Sequence, residues 1–162
     1  MSDCEVLIVG AGITGATLAL ALADADIAVT VLDREAPPPL PAPGQPLDVR
    51  VSAIHAAAGG LLERLGAWPR LPAACRAPFG RIEVWDAGSL GSIRFDSAQI
   101  GQPWLGWIAE NRAVVAALHA RLAQLPAARM LAPAVLEDWE VRADRAIVRL
   151  GDGRELTTRL LV

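Results

Sequence analysis

The chain has 162 residues, of which 53% are hydrophobic and 20% charged, with a formal net charge of −3. That length suits one domain with room for a core, and the composition excludes a disordered chain. The acidic balance argues against a nucleic-acid partner.

All 15 basic residues are arginine, so a Walker A lysine and a lysine Schiff base are both excluded. Cys4 and Cys75, with His55 and His119, form neither a disulfide framework nor a spaced zinc cluster. No metal site is expected, and a reduced, cytoplasmic protein is the simplest reading. Val6 to Ala23 carries no charge, but it is crowded with Gly, Ala and Thr and flanked by acidic residues. It is not read as a membrane span or a secretion signal.

In chain order, Cys4–Val9 reads as a buried strand and Ile13–Ala25 as a helix apolar nearly all round, hence buried. Ile27–Leu32 reads as a second strand, parallel to the first in a βαβ unit. Asp26 stands where a glycine would normally close the helix, and an aspartate tolerates that left-handed position. Six prolines between Pro37 and Pro46 demand an extended loop. Ser52 then reads as the N-cap of a helix carrying Ile54, Ala57, Ala58, Leu61, Leu62 and Leu65, with Gly66 just past its end. "RIEVWD" and "LGSIRFD" form a hairpin around "AGS", and "PWLGWIAE" adds a third strand. Asn111 caps a helix with Val114, Ala117, Leu118, Leu122 and Leu125 on its apolar face. "ARMLAPA" holds a short strand, and "VLEDWEV", "RAIVRL" and "RELTTRLLV" form a meander.

Gly10, Gly12 and Gly15 have the G-x-G-x-x-G spacing between a strand and a helix. Gly10 allows the tight turn, Gly12 lets a pyrophosphate approach the backbone, and Gly15 lets the helix pack on the sheet. The N–H groups near Ile13 and Thr14, at the positive end of the helix dipole, face the phosphates. Asp33, 23 residues after Gly10, ends the second strand where a carboxylate accepts from a ribose and disfavours a 2′-phosphate. These features point to an adenine dinucleotide but do not separate FAD from NAD.

The later sequence separates them by resemblance. "LDVRVSAIHAAAGGLLERLGAW" resembles the FAD-dependent aromatic hydroxylases, single-component flavin monooxygenases, and most of all their ubiquinone-biosynthesis branch. Asp48, Arg50, Ser52, Ala53, Leu65, Gly66 and Trp68 carry the match, and Glu110, Asn111 and Leu118 extend it. The resemblance implies FAD as cofactor, NAD(P)H and O2 as co-substrates, and hydroxylation of a phenol- or quinol-type aromatic substrate. It implies that Arg50 reaches the FAD pyrophosphate or the flavin edge and that Asn111 contacts FAD. Arg34 has two readings, a group lying over the adenine or an ordinary solvated charge. No catalytic side chain is assigned, because the cofactor carries the chemistry. His55 reads as a partly packed helical histidine and His119 as an exposed one. Trp85, Trp104, Trp107 and Phe95 read as core of the sheet that walls the substrate site.

The expected fold class is α/β: a Rossmann-like FAD-binding βαβ unit with a β-meander, plus part of a β-rich substrate domain. The expected division is 1–80 and 111–162 for the FAD-binding domain and 81–110 for substrate-domain strands. In the family an Asp-Gly motif is due just after the position of Leu161–Val162 and a Gly-Asp motif later still, so the chain is expected to be an N-terminal piece, inactive alone. The alternatives are another FAD- or NAD-dependent oxidoreductase and a non-catalytic dinucleotide-binding module. A lipid-linked substrate would bring peripheral contact with the inner face of a membrane, and an incomplete sheet would favour a homo-oligomer.

Overall fold

The computed structural model describes residues 3–88 and 90–162. The elements in chain order are β1 (Cys4–Val9), α1 (Ile13–Ala23), β2 (Val29–Leu32), β3 (Val51–His55), α2 (Ala56–Arg64), β4 (Arg76–Phe79), β5 (Arg81–Trp85), β6 (Ser92–Asp96), β7 (Gly106–Glu110), α3 (Asn111–Leu122), β8 (Ala128–Leu131), β9 (Leu136–Val141), β10 (Ala146–Leu150) and β11 (Glu155–Leu161).

A six-stranded sheet in the order β8-β2-β1-β11-β10-β9 forms the frame. Its first four strands are parallel, and β9, β10 and β11 form the antiparallel meander. The sequence reading of α/β architecture, a βαβ unit and a meander therefore stands. The meander's last strand enters the sheet beside β1, so distant parts of the chain meet at the glycine turn. Period-two alternation divides the central strand. Val6 and Ile8 face a core shared with α1, α2 and α3, whereas Leu7 faces Leu32, Val148 and Leu150 on the other side.

Helix α1 ends at Ala23, two residues before its expected end, and β2 starts at Val29 rather than Ile27. Asp26, at φ 59°, takes the expected left-handed position. Helix α1 is also less enclosed than its apolar sequence suggests: Ala16, Ala19, Leu20 and Ala23 are buried, but Thr14, Leu18 and Ala21 are exposed.

The largest departure lies at residues 51–55. Ser52 is not an N-cap; it sits in β3, paired with Ala109 of β7. The cap of α2 is His55, whose Nδ1 accepts from the Ala58 N–H at 3.3 Å. His55 is exposed at the end of a strand, not packed on a helix. Backbone pairing with β7 has overridden a helix-start signal that rested on one serine. Gly66, at φ 73°, does close α2.

The strand β7 does not extend the β5–β6 hairpin. It is the middle of a separate sheet in the order β3-β7-β4. The hairpin itself forms as expected, with Ala87 and Gly88 in its turn; Ser89 of the "AGS" turn lies outside the described residues. Trp107 packs under Gly59 and meets Trp68 edge-on at 5.2 Å. Trp85, Phe95 and Trp104 are not core: all three are exposed.

Candidate nucleotide site

The turn after β1 is built by steric necessity. Gly10 has φ 105°, a conformation that L side chains rarely adopt. A Cβ on Gly15 would collide with the Gly10 carbonyl oxygen, so only glycine lets α1 approach the turn. Gly12 differs from both. Its φ is −67°, ordinary for any residue, and a Cβ there would meet no atom within 4 Å. Neither backbone nor packing in the protein requires a glycine at position 12. The space beside it is an open cradle.

Three clefts adjoin at this turn. Gly10, Gly12, Ile13, Thr14 and Gly15 line one of about 370 Å³. Gly12, Asp33, Arg50 and Asn111 line a second, about 430 Å³. Gly10, Asp33 and Arg34 line a third, about 410 Å³. All nine nominated residues thus stand around one turn. A larger, mostly apolar cleft of about 470 Å³ lies under Pro37, Pro38 and Leu40 and shares Pro38 and His119 with the second of these clefts. Polar groups converge on the smaller clefts, and these fit a dinucleotide better.

Asp33 holds the turn. Its Oδ2 accepts from the Ala11 N–H at 2.7 Å and its Oδ1 from the Glu35 N–H at 2.9 Å. Each oxygen retains a lone pair for a further donor. Arg34 extends into solvent, 80% exposed, near Glu35 at 3.9 Å. The Arg50 backbone carbonyl accepts from the Asn111 N–H at 3.0 Å, which ties the loop before β3 to the start of α3. The Arg50 guanidinium makes no ion pair among the described residues.

Asn111 is not the helix cap. Glu110 holds that position, and Asn111 is the first helical residue. Its Oδ1 is buried without a hydrogen-bond partner. A buried unpaired amide oxygen costs about 1–3 kcal/mol, so a donor is expected to complete it. This orphaned atom and the Gly12 cradle are the features that fit a bound nucleotide cofactor.

Under the cleft lies a cluster that joins Asp48 and Glu110, two of the matched residues, to Cys75 and Arg112, which the match did not include. Glu110 is buried, and its Oε2 accepts from the Asp48 N–H at 3.1 Å and from Arg112 Nε at 3.1 Å. Burial pushes its carboxyl up, but the Asp48 N–H, the Cys75 thiol and the Arg112 guanidinium together hold it below the ordinary glutamate range. Burial, and then Glu110 itself, push the Cys75 thiol up. Arg112 also donates to the Pro46 carbonyl at 2.7 Å. The cluster clamps the proline-rich loop against α3 and fixes the backbone that carries Arg50.

His119 is buried, not exposed: its Nε2 lies 2.6 Å from the Ala11 carbonyl oxygen, and its Nδ1 is buried without a partner. The only sequence signal for it was its place one residue after Leu118 and three before Leu122 on a helix with a buried face. No motif pointed to Ala11.

Residues 5–44 match the family model described as FAD dependent oxidoreductase. The chain is 35% identical over 98% of its length to the 3-demethoxyubiquinol 3-hydroxylase of Escherichia coli (strain K12) and spans 40% of that protein. It is 39% identical over 98% of its length to the ubiquinone hydroxylase UbiL of Rhodospirillum rubrum, spanning 36% of it. Among solved structures, the p-nitrophenol 4-monooxygenase PnpA of Pseudomonas putida DLL-E4 superposes with a TM-score of 0.72 at 18% identity, over 99% of this chain and 40% of that one. Aklavinone-11 hydroxylase, solved with FAD and aklavinone, gives 0.71 at 22% identity, over 99% of this chain and 32% of that one. These structural likenesses establish the fold.

Proposed function

We propose that the chain is an FAD-dependent oxidoreductase of the kind of the ubiquinone-biosynthesis hydroxylases it resembles, and that it holds the nucleotide part of FAD in a monooxygenase acting on a phenol- or quinol-type aromatic substrate. The observation that carries this reading is the relatedness to two such hydroxylases along nearly the whole chain. In the proposal, NAD(P)H is the reductant and O2 the oxidant. A polyprenylated substrate would be met at the inner face of a membrane; among the described residues no helix is long and apolar enough to cross one. The division into FAD-binding residues 1–80 and 111–162 and substrate-side residues 81–110 is part of the same proposal, with the β3-β7-β4 sheet joining the two.

The residues have distinct tasks. Gly12 gives the pyrophosphate room against the backbone, and the free N–H groups at Ile13 and Thr14 donate to it. Arg50 adds a fixed positive charge and charge-assisted hydrogen bonds. Asp33 offers its remaining lone pairs to ribose hydroxyls, and in this reading Arg34, which extends into solvent, swings over the adenine. Asn111 Oδ1 accepts from an FAD donor. FAD, when bound, supplies the redox and oxygen chemistry; the chain binds and orients it. Titrating the purified chain with FAD, read by the visible spectrum, is the test. Flavin bands that shift and saturate, with no such response to NADH, support the reading. A chain that leaves the FAD spectrum unchanged overturns it.

A further inference from the structure

We infer that His119 is a positioning residue for the phosphate-binding turn: through the Ala11 carbonyl it aims the Gly12 N–H at the cofactor. The inference deepens the proposed FAD site and rests on that reading.

A carbonyl oxygen can only accept, so the 2.6 Å contact to Ala11 requires the proton on His119 Nε2. The Ala11 carbonyl and the Gly12 N–H belong to one planar peptide unit, and the only cis peptide among the described residues is Ala132–Pro133. In a trans unit the two groups point in opposite directions. The carbonyl is turned onto a buried histidine, so the Gly12 N–H is turned away from it, toward the cleft that Gly12 lines with Gly10, Ile13 and Thr14. Asp33 fixes the preceding unit through the Ala11 N–H at 2.7 Å. Ala11 is therefore held on both sides, by Asp33 just past β2 and by His119 of α3. The hydrogen bond to the carbonyl also polarises its peptide and strengthens the N–H as a donor. Gly10 and Gly12 leave this segment free to adopt other conformations, and the two clamps select one.

The test uses three variants. His119→Gln places an amide N–H near the position of Nε2, His119→Asn places one only near Nδ1, and His119→Leu removes the donor. In ligand-free protein the Gly12 amide resonance is expected to stay in place in the Gln variant and to move in the Asn and Leu variants. FAD affinity is expected to fall about tenfold in Asn and Leu, the loss of one well-aimed hydrogen bond, and to be largely kept in Gln. A Gly12 resonance and an FAD affinity unchanged in Leu, with the fold intact, would overturn the inference. So would a folded Gln variant that loses as much as Leu. If the unmodified chain binds no FAD, the functional reading fails, and the ligand-free Gly12 resonance still decides the role of His119.

Discussion

The six-stranded sheet and the β5–β6 hairpin are made of similar residues and end in opposite situations. In β1 and β2 the runs "VLI" and "VTVL" are covered on both sides, and Leu7, Val29, Val31 and Leu32 are nearly inaccessible. In the hairpin, Ile82 faces Phe95 and Val84 faces Ile93 across one surface, and all four are exposed. Its opposite surface carries the cross-strand pairs Arg81–Asp96 at 3.1 Å and Arg94–Glu83 at 3.2 Å. A run apolar at every position marks a strand enclosed by layers of this chain, whereas strict alternation marks one face only and does not say what lies against it. Burial is concentrated in the sheet and helices, and the nucleotide turn is set on that part.

The sharpest way to break this contrast is to cut into each region. Leu118→Ala, at a fully buried position of α3, is expected to cost about 2–5 kcal/mol in chemical denaturation. Trp85→Ser, on the hairpin, is expected to stay within about 0.5 kcal/mol. Comparable losses from the two would mean that the hairpin belongs to the same cooperative unit.

The loop clamp comes next. Glu110→Gln is expected to cost about 1.5–3 kcal/mol, because a charged acceptor of three donors becomes a neutral amide. Glu110 titrates below its ordinary value when folded, so its contribution is present above the unfolded value and is lost as pH falls through the folded one. The denaturation midpoint of the unmodified chain is expected to fall in acid more steeply than that of the Gln variant. Parallel acid profiles would remove Glu110 from the account.

The effect of Arg50 falls on the cofactor. Arg50→Gln is expected to weaken FAD binding by about tenfold while leaving the melting temperature unchanged. A matching loss of stability would show that Arg50 holds the loop rather than the ligand. Smallest of all, Arg94→Ala on the hairpin is expected to change stability by under about 1 kcal/mol, since both partners of its ion pair face solvent.

The legible parts of the fold were those in which local pattern and tertiary pairing agree. Cys4–Val9, the glycine turn, the left-handed Asp26 and the meander all follow from periodicity and turn chemistry. The β3-β7-β4 sheet did not, because its signals conflict. Ser52 resembles a helix start, and β4 contains Pro78, which a strand tolerates only at an edge or bulge, and β4 is an edge strand. At the site, the glycines, Asp33, Arg50 and Asn111 were nominated by spacing or resemblance, and the structure gathers them at one turn. His119 and the Glu110–Cys75–Arg112 cluster were not nominated, because their roles depend on partners far away in sequence: Ala11 lies 108 residues before His119. Long-range contacts of that kind leave no local trace.

The central claim is that the turn is a cradle whose remaining space belongs to a ligand, and Gly12 tests it most directly. Its backbone is ordinary and a Cβ there touches nothing in the protein. The measurement is FAD affinity of Gly12→Ala beside its melting temperature. The account predicts a melting temperature that is unchanged or raised, since alanine reduces the freedom of the unfolded chain, together with at least about tenfold weaker FAD binding. A stable Gly12→Ala chain that binds FAD as tightly as the unmodified one would contradict it.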